Sequence, residues 1–129
     1  MTGERLVHHE LCFGCGRTNL FGLLMELEQT AEGRVRGRGF IKQDHQGPVR
    51  GAAHPGIVAA ALLEAMAFAA DGDWEAIAVE LSVPAPAPVG AFLDVEAQAT
   101  AGGVEARAWC EGKEVAGARA GHRRLHRPG

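Results

Sequence analysis

Residues 57–70 read IVAAALLEAMAFAA, and Glu64 is the one charged residue among them. A helix written this way has no polar side to offer water, so it needs cover on every face. That restricts the chain to folds in which something larger wraps a single helix. It also isolates Glu64, because a carboxylate in an apolar setting is costly unless it is paired or hydrogen-bonded. Glu64 is therefore the first candidate functional residue.

At 129 residues the chain is long enough for one domain and too short for two. Apolar residues make up 47%, but aromatics only 5%. At about 25 cal/mol per Å² buried, alanine and valine build a thin core, and contact with a second copy would supplement it. The formal net charge of -3 gives no positive field for a nucleic acid. Arg119, Arg123, Arg124 and Arg127, with His122 and His126, make the end of the chain basic. The segment from about residue 123 to the end is expected to be a solvated tail, with contact to the phosphates of a small ligand as the alternative. Three cysteines and no recognisable secretion signal point to reduced thiols and a cytoplasmic protein. The 57–70 run is too short to span a bilayer, so no membrane partner is expected.

The flanking segments read as strands. Residues 23–28 begin one, and 34–42 form another in which Val35, Gly37, Gly39 and Ile41 share one face. Glu32-Gly33 is the turn between them. A glycine-bearing loop at 43–53 leads to Pro55, well placed at a first helical position. Asp71-Gly72-Asp73 should end the helix, with Gly72 as a C-terminal cap. Residues 74–83 favour a strand, and Pro84, Pro86 and Pro88 exclude a central strand just after it. Alternation at 91–100 sets Leu93, Val95, Ala97 and Ala99 against Phe92, Asp94, Glu96 and Gln98. Two more strands follow at 104–111 and from 114 to about 122, separated by turns at 101–103 and 111–113. Tight turns imply antiparallel neighbours. The expectation is an α+β domain, one sheet curled around one apolar helix.

Several of these segments, in this order, resemble the hotdog-fold thioesterases, specifically the small acyl-CoA thioesterases related to the phenylacetate-pathway enzyme. The carrying segments are Cys12-Phe13-Gly14-Cys15-Gly16 with Asn19 and Gly22-Leu23, then His45-Gln46-Gly47, His54-Pro55-Gly56, Leu62 to Met66, and Pro88-Val89-Gly90. The resemblance implies a helix wrapped by an antiparallel sheet, a homodimer with active sites at its interface, and often a dimer of dimers. It implies hydrolysis of acyl-CoA thioesters, with coenzyme A as part of the substrate and no separate cofactor. It also exposes departures. Leu63 stands where the family commonly has its catalytic aspartate, Glu64 matches a glutamate that often follows, and Pro55 replaces a glycine of the turn.

Hydrolysis needs a carboxylate acting as base or nucleophile and N–H donors for the developing oxyanion. Glu64 is the candidate carboxylate, Gly56 the candidate donor at the helix N-terminus, and His54 a candidate for orienting substrate or carrying a proton. His45, Gln46, Asn19 and Arg50 are candidates for substrate binding, with Asp44 as a substitute carboxylate. The arginines at 34, 36 and 38 and Lys42 are candidates for phosphate. Glu64 and His54 have equally plain structural readings, in which they hydrogen-bond the adjoining loops. Two functions stand: acyl-CoA hydrolysis, and a non-catalytic hotdog protein that binds an acyl-CoA or other small hydrophobic ligand or serves in assembly. Cys12 and Cys15 have zinc-ligand spacing with His8 and His9 nearby, but no second pair completes a familiar zinc pattern. The expectation is a packed glycine-rich loop at about 8–20 without a metal.

Overall fold

A computed structural model describes residues 4–70, 74 and 77–121. Among the described residues there are six strands and one α-helix: β1 (Glu26–Ala31), β2 (Arg34–Phe40), α1 (Pro55–Ala69), β3 (Glu80–Ser82), β4 (Phe92–Thr100), β5 (Gly103–Cys110) and β6 (Lys113–Gly121), with a short 3-10 turn at Gln43–His45. They form one antiparallel sheet in the order β1-β2-β4-β5-β6-β3. The expected α+β domain with its sheet packed on one helix is the observed one. Among the described residues of 74–83, only Glu80–Ser82 form a strand. These three residues bond to β6 alone. The caps expected at 71–73 and the tail from 122 onward lie outside the described residues.

Strand alternation works as the sequence implies. Leu93, Val95 and Ala97 on β4 are buried, while Phe92, Glu96 and Gln98 point outward. Glu111 and Gly112 both take positive φ, the backbone of a tight hairpin turn whose twist matches its strands. Cys110 is buried, the small hydrophobe its strand position suggested. Burial, and then the charge of Asp94, raises its thiol pKa.

The helix departs from expectation in one respect. Val58, Ala61, Leu62, Ala65, Met66 and Ala69 are buried, a stripe at three- and four-residue spacing that lies on the sheet. Burying Val58, Leu62 and Met66 stabilises the fold by roughly 1.5–3 kcal/mol each. The opposite side is not enclosed within one chain. Ala59, Ala60, Leu63, Ala67 and Phe68 remain half-buried. Apolar character on every side was expected to mean complete cover, yet the sheet covers one side only.

Candidate functional site

The two parts of α1 hold different candidate groups. At its N-terminus, His54 is the capping residue, and its Nδ1 accepts the Gly56 N–H at 2.8 Å. The His54 carbonyl accepts the next two N–H groups, from Ile57 at 2.8 Å and Val58 at 3.3 Å. Pro55 has no N–H to give. The Gly56 donor suggested for an oxyanion is thus bonded to His54, and the imidazole would have to turn away to release it. Both residues are exposed in the single chain.

His45 is bound into the same turn. It is 4% exposed, its Nδ1 accepts the Lys42 N–H at 3.0 Å, and its carbonyl accepts the His54 N–H at 2.8 Å. Burial, and then the nearby charge of Lys42, lowers its pKa, against a smaller opposing pull from Asp44. A neutral ring accepting at Nδ1 carries its proton on Nε2. That buried Nε2 has no hydrogen-bond partner among the described residues.

The other loop candidates are used locally. Gln46 accepts the Gly51 N–H at 2.6 Å and donates to the Gln43 carbonyl at 2.9 Å. Asn19 donates to the Leu11 carbonyl and accepts the Phe21 N–H. Lys42 Nζ donates to the Leu20 carbonyl at 2.8 Å, joining the loop around residue 20 to the turn before α1. Next to that tie, Leu20 is 69% and Phe21 82% exposed. Arg50 and Asp44 are exposed. Arg36 pairs with Glu28 and Arg38 with Asp94 on the outer side of the sheet. A concavity of about 500 Å³ there is lined by Arg36, Arg38, Asp94 and Trp109 and includes none of the proposed catalytic residues.

Glu64 belongs to a different neighbourhood. Its side chain is 11% exposed, and Oε2 lies 2.7 Å from His8 Nδ1 and accepts from Cys12 Sγ at 3.3 Å. His8 Nδ1 is also 3.7 Å from Cys12 Sγ and 3.5 Å from Cys15 Sγ. The His8 ring stacks on Phe68, with centroids 3.8 Å apart and planes 4° from parallel. Phe68 is one helical turn beyond Glu64, which puts both on the same side of α1. Cys15 is fully buried, and burial followed by its hydrogen bond to Glu64 raises its thiol pKa strongly. Gly14 permits the contact, since a Cβ there would strike the Glu64 carboxylate.

The proposed catalytic set therefore does not converge within one chain. His45, His54 and Gly56 share the helix-entry turn, whereas Glu64 lies with His8, Cys12 and Cys15. His9, the other histidine beside the cysteines, instead accepts the Leu11 N–H through its own ring. The sequence carried a signal for the second group in the spacing of His8, Cys12 and Cys15. It carried none for the contribution of Glu64, which is 49 positions beyond Cys15 in the chain.

No protein-family model matches the chain, and comparison by sequence with proteins of curated function gives no match. Solved structures do match. A variant of the phenylacetic acid degradation protein PaaI from Thermus thermophilus is 25% identical, with a TM-score of 0.65 over 78% of this chain and 93% of that one. A phenylacetic acid degradation-related protein from Ralstonia eutropha is 22% identical, with a TM-score of 0.63 over 76% and 83%. Thioesterase superfamily member 2 from Mus musculus is 17% identical, with a TM-score of 0.62 over 74% and 78%. The chain has the hotdog fold, which it shares with these solved structures. Among the described residues no helix is long and apolar enough to cross a membrane.

Proposed function

We propose that this hotdog protein binds an acyl-CoA thioester, or a related small apolar acyl ligand, at a homodimer interface, and that Glu64 does not hydrolyse it. The observation that carries this reading is the placement of the Glu64 carboxylate against His8 Nδ1 and Cys12 Sγ. A carboxylate committed there is not free to take a proton from water at a thioester carbonyl. Leu63, in the position where the resemblance implies aspartate, cannot replace it.

The helix-entry turn supports a ligand. His45 carries a buried N–H without a partner among the described residues, and an acyl carbonyl would satisfy such a donor once the turn opened to it. Leu20 and Phe21, beside the Lys42 tie, offer apolar contact area. Edge strand β3 and the half-buried side of α1 support the dimer. Val79 and Leu81 are 37% and 41% exposed, and a bare edge of this kind can pair with a second copy.

Hydrolysis is the second reading, favoured because a solved neighbour is a thioesterase superfamily member. One experiment separates the two. Binding of a non-hydrolysable acyl-CoA thioether is titrated, and thiol release is followed with short, long and aryl acyl-CoAs. Saturable binding with background release is expected. Leu63→Asp should raise release by about 100-fold, the scale of a positioned base. Steady wild-type release that disappears in Glu64→Ala would establish hydrolysis through Glu64. No saturable binding with any acyl chain would overturn the ligand reading.

A further inference from the structure

Four donor atoms from two distant parts of the chain meet at one point. His8 Nδ1, Cys12 Sγ, Cys15 Sγ and a Glu64 carboxylate oxygen all lie within 4.8 Å of one another. The geometry points to a structural divalent-metal site, with zinc as its natural occupant, that fastens the N-terminal loop to the central helix. This inference rests on the four side chains and not on the ligand proposed above. It departs from the expectation of a metal-free packed loop.

Three of the six separations among the four donors fit tetrahedral coordination. With zinc–sulfur bonds near 2.3 Å and zinc–nitrogen or zinc–oxygen bonds of about 2.0–2.1 Å, neighbouring donors stand about 3.3–3.8 Å apart. The two sulfur–nitrogen separations are 3.7 and 3.5 Å, and the Cys12 sulfur–oxygen separation is 3.3 Å. A fourth, between His8 and Glu64, is 2.7 Å, a hydrogen-bond length. Coordination would lengthen it by about 0.6 Å, within the reach of a flexible glutamate.

Other chemistries fit less well. A cysteine–histidine–carboxylate catalytic relay needs two ring nitrogens, one facing the sulfur and the other the carboxylate. Here the single atom His8 Nδ1 faces both sulfurs and Glu64. A dithiol redox pair usually presents its first cysteine at a helix N-terminus, whereas residues 10–15 are turns and irregular loop with no helix.

The surroundings hold the donors in place. The His8 N–H points at Cys15 Sγ at 3.1 Å, a bond that supports a thiolate ligand. Phe68 fixes the plane of the His8 ring. The carbonyls of Phe13 and Gly14 accept the Leu23 and Met25 N–H groups at 2.7 and 2.8 Å, which anchors the loop between its cysteines. On binding, each cysteine thiol gives its proton to solvent and no electrons move. Two thiolates and one neutral imidazole, soft and borderline donors, outnumber the one hard carboxylate in this closed set, which suits zinc over magnesium or calcium.

The test uses the untagged full chain, purified without chelator under reducing conditions. Elemental analysis should find about one zinc per chain, falling toward zero in the Cys12→Ser/Cys15→Ser double variant. Cobalt(II) added to chelator-treated wild type should give a thiolate-to-cobalt charge-transfer band and the intense d–d bands of a tetrahedral site. Glu64→Gln should change those d–d bands while the charge-transfer band remains. The wild-type cobalt spectrum stays decisive even if the double variant fails to fold. No stoichiometric metal together with no charge-transfer band would overturn the inference. So would full zinc retention in a folded double variant, or a Cys12–Cys15 disulfide in protein handled without reductant.

Discussion

The helix-entry turn and the second half of α1 are built from the same fifteen-residue helix, yet they treat their polar groups oppositely. At the entry, His54 and Gly56 are exposed and satisfied by local bonds, so the turn closes on itself within a few residues. In the second half, Glu64 meets partners from a loop about fifty positions earlier and is mostly shielded from water. Residues of the kind that serve catalysis are present in both places. Proximity of function-like residues in sequence therefore does not assemble a site, because the loop that packs against each helical face decides what that side chain can do.

The sharpest way to break this contrast is at Gly14. Gly14→Ala places a methyl against the Glu64 carboxylate and should cost about 1–3 kcal/mol in denaturant melts. A neutral result would mean that the loop and Glu64 are only loosely joined. At the entry, His54→Ala removes the side-chain cap and should cost about 1 kcal/mol, with His54→Asn recovering most of it. Equal losses in both variants would show that the ring contributes through packing instead.

The smallest effect concerns His45, whose folded pKa is lowered from the ordinary value of 6.5. The unfolded ring takes its proton near 6.5 and the folded ring only at lower pH. The resulting stability is therefore present above about pH 6.5 and lost as the pH falls below it, down to the folded pKa. His45→Asn can keep a side-chain acceptor for the Lys42 N–H and should flatten this part of the stability–pH curve. Parallel curves for the variant and wild type would remove His45 as the cause.

Much of the fold was legible because its signals are local. The alternation from Phe92 to Thr100, the turns at Gly33 and Gly112, and Pro55 at the start of α1 each act over a few residues. The short β3 was less legible, since its ends depend on pairing with β6 and not on its own composition. The candidate site was legible only in part. Asn19 and Gln46 carry the right chemistry for binding a ligand, but both amides are spent on loop bonds that composition does not reveal.

The sequence by itself determined that one apolar helix needed cover, that a meander of strands would supply part of it, and that Glu64 could not sit there unpaired. Hydrophobic period and turn chemistry suffice for the first two points, and the cost of desolvating a charge for the third. Only the tertiary structure decided the partner. Glu64 turned toward His8, Cys12 and Cys15 and away from the entry turn because the N-terminal loop, bonded to the start of β1 and passing Gly14 close to the helix, brings those three side chains to its face.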